Sequence, residues 1–182
     1  MAIIAFGYES GAGKDTCASI ASMLLTTSGK HKSVERRGFA DGLKDAVYRQ
    51  FKHCGVHSRQ HYDLHRSDRL EIIECVGMNV IDLWIAYGTA MRKLNDKVFV
   101  SQTLHNLPSV LLISDIRFNV EVEAVKALGG KLVLVKRDGL SKNASDYELD
   151  SFHDWDYTIY NNGTFKSLGV VVESLLKEEG LL

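Results

Sequence analysis

The chain has 182 residues, 45% of them apolar, and its 22 basic and 23 acidic side chains leave a net charge of −1. That length buries one good core and requires no second domain, so a single domain over 1–182 is expected. A charge so balanced, with no long run of either sign, excludes diffuse attraction to nucleic acid or to an anionic membrane and makes a small molecule the expected partner.

The chain opens on a short apolar run, Ala2-Ile3-Ile4-Ala5-Phe6, that breaks into Gly7-Tyr8-Glu9-Ser10-Gly11-Ala12-Gly13-Lys14-Asp15-Thr16. The run reads as a buried strand of a parallel sheet, and apolar residues at Cys17, Ile20, Ala21, Leu24 and Leu25 predict a helix after it. Strand, glycine loop, lysine and helix are the layout of a phosphate-binding P-loop. Glycines let successive amides turn inward, and the helix presents its unpaired N–H groups and the positive end of its dipole to an anion. Gly11, Ala12 and Gly13 would cradle phosphate, Lys14 would add charge for the β- and γ-phosphates, and Thr16 or Asp15 would hold Mg²⁺. The spacing departs from the usual motif in two ways. Gly7 lies one residue too far from Gly13, so Tyr8 stands in the place of the first glycine, and Asp15 follows the lysine where a hydroxyl is usual.

A polar connector, 26–32, leads to a weak second strand over 33–39, after which Asp41 is expected to cap a helix with Leu43, Ala46, Val47 and Phe51 on its inner face. Lys44, in the first turn of that helix, is a candidate substrate contact. Residues 52–66 carry His53, His57, His61 and His65, whose spacing would stack them on one helix face near Cys54. A metal site there is disfavoured, because paired ligands flanking turns are missing and Arg59, Arg66 and Arg69 suit a polar surface segment or flap. From Ser67 to Leu104 the pattern is helical, and Gly88-Thr89 is expected to interrupt it and aim Arg92 into a cleft.

Pro108 ends that layer, and Val110-Leu111-Leu112-Ile113 is the next buried strand. It runs into Asp115, placed to hold Mg²⁺, and Arg117, whose fork of donors suits phosphate oxygens. Asn119 is expected to cap the following helix, with Glu121 serving its dipole and not the chemistry. After Gly129-Gly130 comes a strand at Leu132-Val133-Leu134-Val135, then a polar stretch, 136–154, read as a lid with Arg137 facing inward. A fifth strand over 156–160, a turn at Asn161-Asn162-Gly163 and a closing helix from Phe165 to Leu176 complete the chain. Three cysteines, Cys17, Cys54 and Cys75, form no CxxC pair and predict free thiols in a reducing compartment. With no charged, cleavable leader at the start and no apolar run near the ~20 residues of a membrane span, a soluble, cytoplasmic protein is expected.

Taken together, Gly11 to Thr16, Phe39-Ala40 with Leu43-Lys44, Leu83 with Gly88-Thr89 and Arg92, Asp115 with Arg117 and Glu121, Arg137, and Asp156 with Ile159 and Asn161 to Gly163 resemble the bacteriophage deoxynucleoside monophosphate kinases, in the same order over nearly the whole chain. The resemblance implies an α/β, three-layer P-loop kinase fold whose five-stranded parallel sheet has the order 2-3-1-4-5. It implies transfer of the γ-phosphoryl of ATP, with Mg²⁺, to a deoxynucleoside 5′-monophosphate in the host cell cytoplasm. It also implies Lys44 and Arg92 on the monophosphate side, Asn161 and Gly163 near the adenine, and a protein that often pairs as a homodimer. Residues 52–80 match no motif of the family and would form a helical insertion on the substrate side. Two other readings stay open at this point: a kinase of another small metabolite such as phosphomevalonate, and a nucleotide-binding switch protein that transfers nothing.

Overall fold

A computed structural model describes residues 1–7, 10–140 and 148–182. The chain divides into two compact units, one formed by Met1–Gly38 with Leu104–Leu182 and the other by Phe39–Thr103.

The first unit is built on five parallel strands: β1 (Ala2–Gly7), β2 (Val34–Arg37), β5 (Val110–Ile116), β6 (Lys131–Lys136) and β7 (Tyr157–Tyr160). Their order across the sheet is β2-β5-β1-β6-β7. Counting the strands of this sheet alone, that is second, third, first, fourth and fifth; the labels differ because two short strands intervene in the chain and form a sheet of their own. Central β1 is buried along Ile3–Gly7, as a strand covered on both faces must be, and each fully buried Ile or Phe side chain there contributes about 1.5–3 kcal/mol. Helices α1 (Lys14–Ser28), α6 (Asn119–Ala127) and α7 (Phe165–Glu178) belong to the same unit. Its largest core cluster joins Ile4, Phe6, Leu112 and Val133 of the sheet to Cys17, Ala21 and Leu25 of α1 and Leu168, Val172 and Leu176 of α7.

The second unit holds α2 (Asp41–Phe51), α3 (Arg59–Leu64), α4 (Val80–Leu94), α5 (Val98–Thr103) and the two-stranded antiparallel pair β3 (Ile72–Ile73) and β4 (Met78–Asn79). Val47, Val56, Tyr62, Val80 and Leu83 form its core.

Several sequence expectations are corrected here. Asp41 does not cap α2: Ala40 holds the cap position without a side-chain bond, and Asp41 lies inside the first turn, where its Oδ2 is 2.5 Å from Arg59 Nη1. Residues 71–79 are not helical, since β3 and β4 replace the expected turns. Gly88 does not break a helix. Helix α4 runs through it, and the glycine is there because a Cβ would stand 2.6 Å from Leu43 Cδ1 of α2. The helical stack of four histidines also fails, because α3 spans only Arg59–Leu64 and His53 lies in a separate 3₁₀ turn, Lys52–Cys54. Finally, the thiols are not all free. Cys54 and Cys75, 21 residues apart, are joined in a disulfide with Cα atoms 5.7 Å apart, and the buried Cys17 keeps its thiol. Spacing along a chain carries no sign of such a meeting, which the turn into α3 and the β3–β4 pair bring about.

Candidate active site

Because all five strands of the main sheet are parallel, their carboxyl ends share one edge, and the loops that follow β1, β5, β6 and β7 emerge there together. In the β1–β5 pairing Gly7 is matched with Ile116, the last residue of β5, so Asp115, the residue before it, lies near that end of the strand, beside the start of the glycine loop. The expected position of Tyr8 in the loop lies outside the described residues.

The loop ends in two glycines that need their conformation. Gly11 has φ 80° and Gly13 φ 103°, both in the left-handed region that side chains resist. Gly13 also holds the cap position of α1 with no side-chain hydrogen bond, so the helix's first amides are not used up by a capping side chain. Ala12 between them is fully buried. Lys14, the first residue of α1, is only 6% exposed, a degree of burial lysine seldom shows. Asp15 is exposed and Thr16 half-buried, and the Asp15 carbonyl oxygen accepts from Ser19 Oγ at 2.7 Å.

Asn161, in the turn after β7, braces the loop. Its Nδ2 donates to the Ala12 carbonyl oxygen at 2.8 Å, its backbone N–H donates to the Lys136 carbonyl oxygen at 2.7 Å, and a Cβ on Gly13 would overlap Nδ2. Next to it, Asn162 Nδ2 donates to Asp138 Oδ2 at 2.8 Å while Asn162 Oδ1 accepts from the Asp138 amide at 2.9 Å, so the loops after β6 and β7 are tied together. The Asn161–Gly163 turn thus has a structural task that the sequence reading, which set it near an adenine, did not contain.

Glu121, 3% exposed, accepts from the backbone amides of Arg117 at 2.8 Å and Phe118 at 3.1 Å through one carboxylate oxygen. It, and not Asn119, satisfies the start of α6; Asn119 is the first helical residue and its amide donates to Glu148 Oε1 at 3.2 Å. Arg117 is therefore set on a backbone that Glu121 holds. Trp155, which the sequence reading passed over, packs on the end of β1, where a Cβ on Gly7 would come within 2.7 Å of its ring. Gly7 is thus a packing glycine as well as the strand's last residue.

Arg137 is exposed directly after β6. Of the expected lid, 141–147 lie outside the described residues, and Leu149 beyond them is buried. Lys44 and Arg92 belong to the second unit. Lys44 Nζ lies 5.3 Å from the centroid of the Trp84 ring, and Arg92 Cζ 5.2 Å from that of Phe99. Burial pushes the Cys17 thiol up to about 12, which keeps it protonated and without a chemical role.

Asp15, Thr16 and Asp115 offer only oxygen donors, the set that a hard cation such as Mg²⁺ takes, so these residues fit that ion better than a softer metal.

Fold and site together define an α/β protein with a parallel sheet and a glycine loop that leads into a helix N-terminus. No family model matches the chain. It is 25% identical over 185 aligned residues, 91% of each chain, to a protein of Acanthamoeba polyphaga mimivirus named "Putative deoxynucleotide monophosphate kinase". Among solved structures it is similar to an unliganded sugar kinase of Janibacter sp. HTCC2649, at 11% identity and a TM-score of 0.41, over 97% of this chain and 92% of that one. No helix among the described residues is long and apolar enough to cross a membrane.

Proposed function

We infer that this protein is an ATP-dependent kinase whose acceptor is a deoxynucleoside 5′-monophosphate, and that 1–182 serve it as one P-loop kinase domain. The reading rests on Lys14: a buried lysine that opens a helix, behind two glycines at positive φ, at the carboxyl edge of a parallel sheet. Few tasks other than gripping phosphate call for that combination. The similarity to the mimiviral protein, which runs over nine-tenths of both chains, supports the choice of acceptor.

A nucleoside monophosphate already carries an anionic oxygen at neutral pH, so the protein need not supply a strong base. Its work is alignment of donor and acceptor and neutralisation of charge on the transferring group. Lys14 and the amides from Gly11 to Lys14 hold the β- and γ-phosphates. Arg117 and Arg137 meet charge on the transferring phosphoryl group, and Lys44 and Arg92 take the acceptor's phosphate. Thr16 and Asp115, with Asp15, would hold Mg²⁺, which would neutralise charge on the phosphates. Asn161 acts on this centre through the loop backbone and is a positioning residue; the turn through Gly163 lies near the adenine in this reading.

The deciding experiment follows ADP formation from ATP with each deoxynucleoside monophosphate, the ribonucleotides and phosphomevalonate, with Lys14→Ala alongside. Turnover that requires a deoxynucleoside monophosphate and falls about a hundredfold or more in the folded variant is the expected result. ATP binding without transfer to any acceptor would overturn it in favour of a nucleotide-binding switch, and transfer to phosphomevalonate alone would change the acceptor class.

A further inference from the structure

The second unit carries a cluster of ligating side chains that the phosphate chemistry does not use. His61 Nε2 lies 2.8 Å from Asp68 Oδ2, and one ligand atom each from His61, His65 and Asp68 fall within 4.8 Å of one another. His61 is in the last turn of α3 and His65 caps that helix, so the spacing of four residues sets both rings on one side of it, stacked with centroids 4.5 Å apart. Asp68 returns to them through the 3₁₀ turn Arg66–Leu70.

Two of the three donors, His65 and Asp68, are oriented by a second group, as metal ligands usually are. His65 Nδ1 stands 3.1 Å from the His61 carbonyl oxygen, the arrangement in which Nδ1–H donates and Nε2 keeps its lone pair. Ser67 Oγ donates to Asp68 Oδ1 at 3.1 Å, leaving Oδ2 to face His61. The His57 ring lies against His61 at 4.1 Å between centroids, closing the third side. The Cys54–Cys75 disulfide ties together the two ends of the segment that bears all of these residues. Of the three, Asp68 also lines a hollow of about 230 Å³, together with His57, Glu71 and Glu74 among others.

We propose that His61, His65 and Asp68 form a binding site for a divalent transition-metal ion of the zinc type, with water at the remaining position. Zinc accepts two imidazoles and one carboxylate, whereas magnesium and calcium, which seek oxygen, would be satisfied only by the carboxylate. Tetrahedral zinc with bonds of about 2.0–2.2 Å needs ligand atoms roughly 3.3 Å apart. The His61–Asp68 pair stands at 2.8 Å and all three ligand atoms lie within 4.8 Å of one another, close enough for rotation of the side chains to bring them to that value. His65 is exposed and free to make its part of that adjustment. The site pins α3 to the turn that follows it, and it stands independently of the kinase reading.

The test uses untagged, full-length protein stripped with a chelator and then titrated with Zn²⁺ against a chromogenic chelator, with Co²⁺ absorption as a second probe. One equivalent bound per chain, visible Co²⁺ bands of a tetrahedral nitrogen–oxygen site, and a higher melting temperature with Zn²⁺ are expected. His61→Ala, His65→Ala and Asp68→Asn should each weaken uptake about tenfold or more, while His53→Ala leaves it unchanged. Circular dichroism confirms that the variants fold, and the Co²⁺ spectrum of the unaltered chain stands without them. Failure of that chain to bind Zn²⁺ in stoichiometric amount, or equal loss in His53→Ala, would overturn the proposal.

Discussion

Asn161 Nδ2 donates a 2.8 Å hydrogen bond to the carbonyl oxygen of Ala12, a contact across 149 residues that ties the turn after β7 to the glycine loop after β1. Ala12 is fully buried, so its carbonyl has no access to water as a substitute. Asn161→Ala should therefore cost about 1–3 kcal/mol. On the kinase reading it should raise the KM for ATP more than it lowers kcat, since the loop loses its support and not its lysine. Thermal melts with steady-state kinetics check both parts; an unchanged KM would show that the loop holds its shape without Asn161.

Glu121 offers a test that separates scaffold from chemistry. Its Oε2 serves two amides from a buried position, so Glu121→Ala should destabilise by about 1–3 kcal/mol, and Glu121→Gln, which keeps an oxygen there, by less. Folded Glu121→Gln should retain most of its transfer activity. Loss of kcat at full stability would instead make Glu121 part of the chemistry.

The approach of α4 to α2 depends on Gly88. Gly88→Val adds bulk where a Cβ already stands 2.6 Å from Leu43 Cδ1 and should cost about 1–3 kcal/mol. Adding Leu43→Ala should recover part of the loss, because the two side chains compete for one space. Denaturant titration of the single and double variants measures the coupling; strict additivity would mean that the two residues do not meet.

The cysteines divide two to one. Thiol titration of the unfolded, unreduced protein should count one reactive group, and three after reduction. Cys17, pushed up to about 12 by burial, should resist alkylation in the native state at pH 8, because its thiolate is scarce until the pH approaches that value. Cys54→Ser with Cys75→Ser should lower stability by about 3 kcal/mol, the loop-closure value for a loop of this length. Reductant should lower the stability of the unaltered chain by a similar amount and leave the double variant unchanged.

What can be read in the residues themselves is whatever depends on near neighbours. The run Ala2–Phe6 is continuous and apolar, so it is a strand buried on both faces, and Val110–Ile113 and Leu132–Val135 follow the same rule. The glycines before Lys14 announce a backbone that side chains would forbid, and Gly11 and Gly13 do have φ of 80° and 103°. Strands β3 and β4, two residues each, are too short to show alternation, and so the hairpin stayed hidden in what reads as a helical stretch. The cap positions fall one residue before Asp41 and Asn119, at Ala40 and Phe118, because both polar residues bond instead to partners from elsewhere, Arg59 and Glu148. Only the tertiary structure could decide that Gly88 is a contact and not a break, that Cys54 meets Cys75, that Asn161 holds Ala12, and that Asp68 joins His61 and His65. Each of those relations is a distance between residues far apart along the chain or separated by a turn, and such distances are set by the packing of whole elements, to which local pattern is blind.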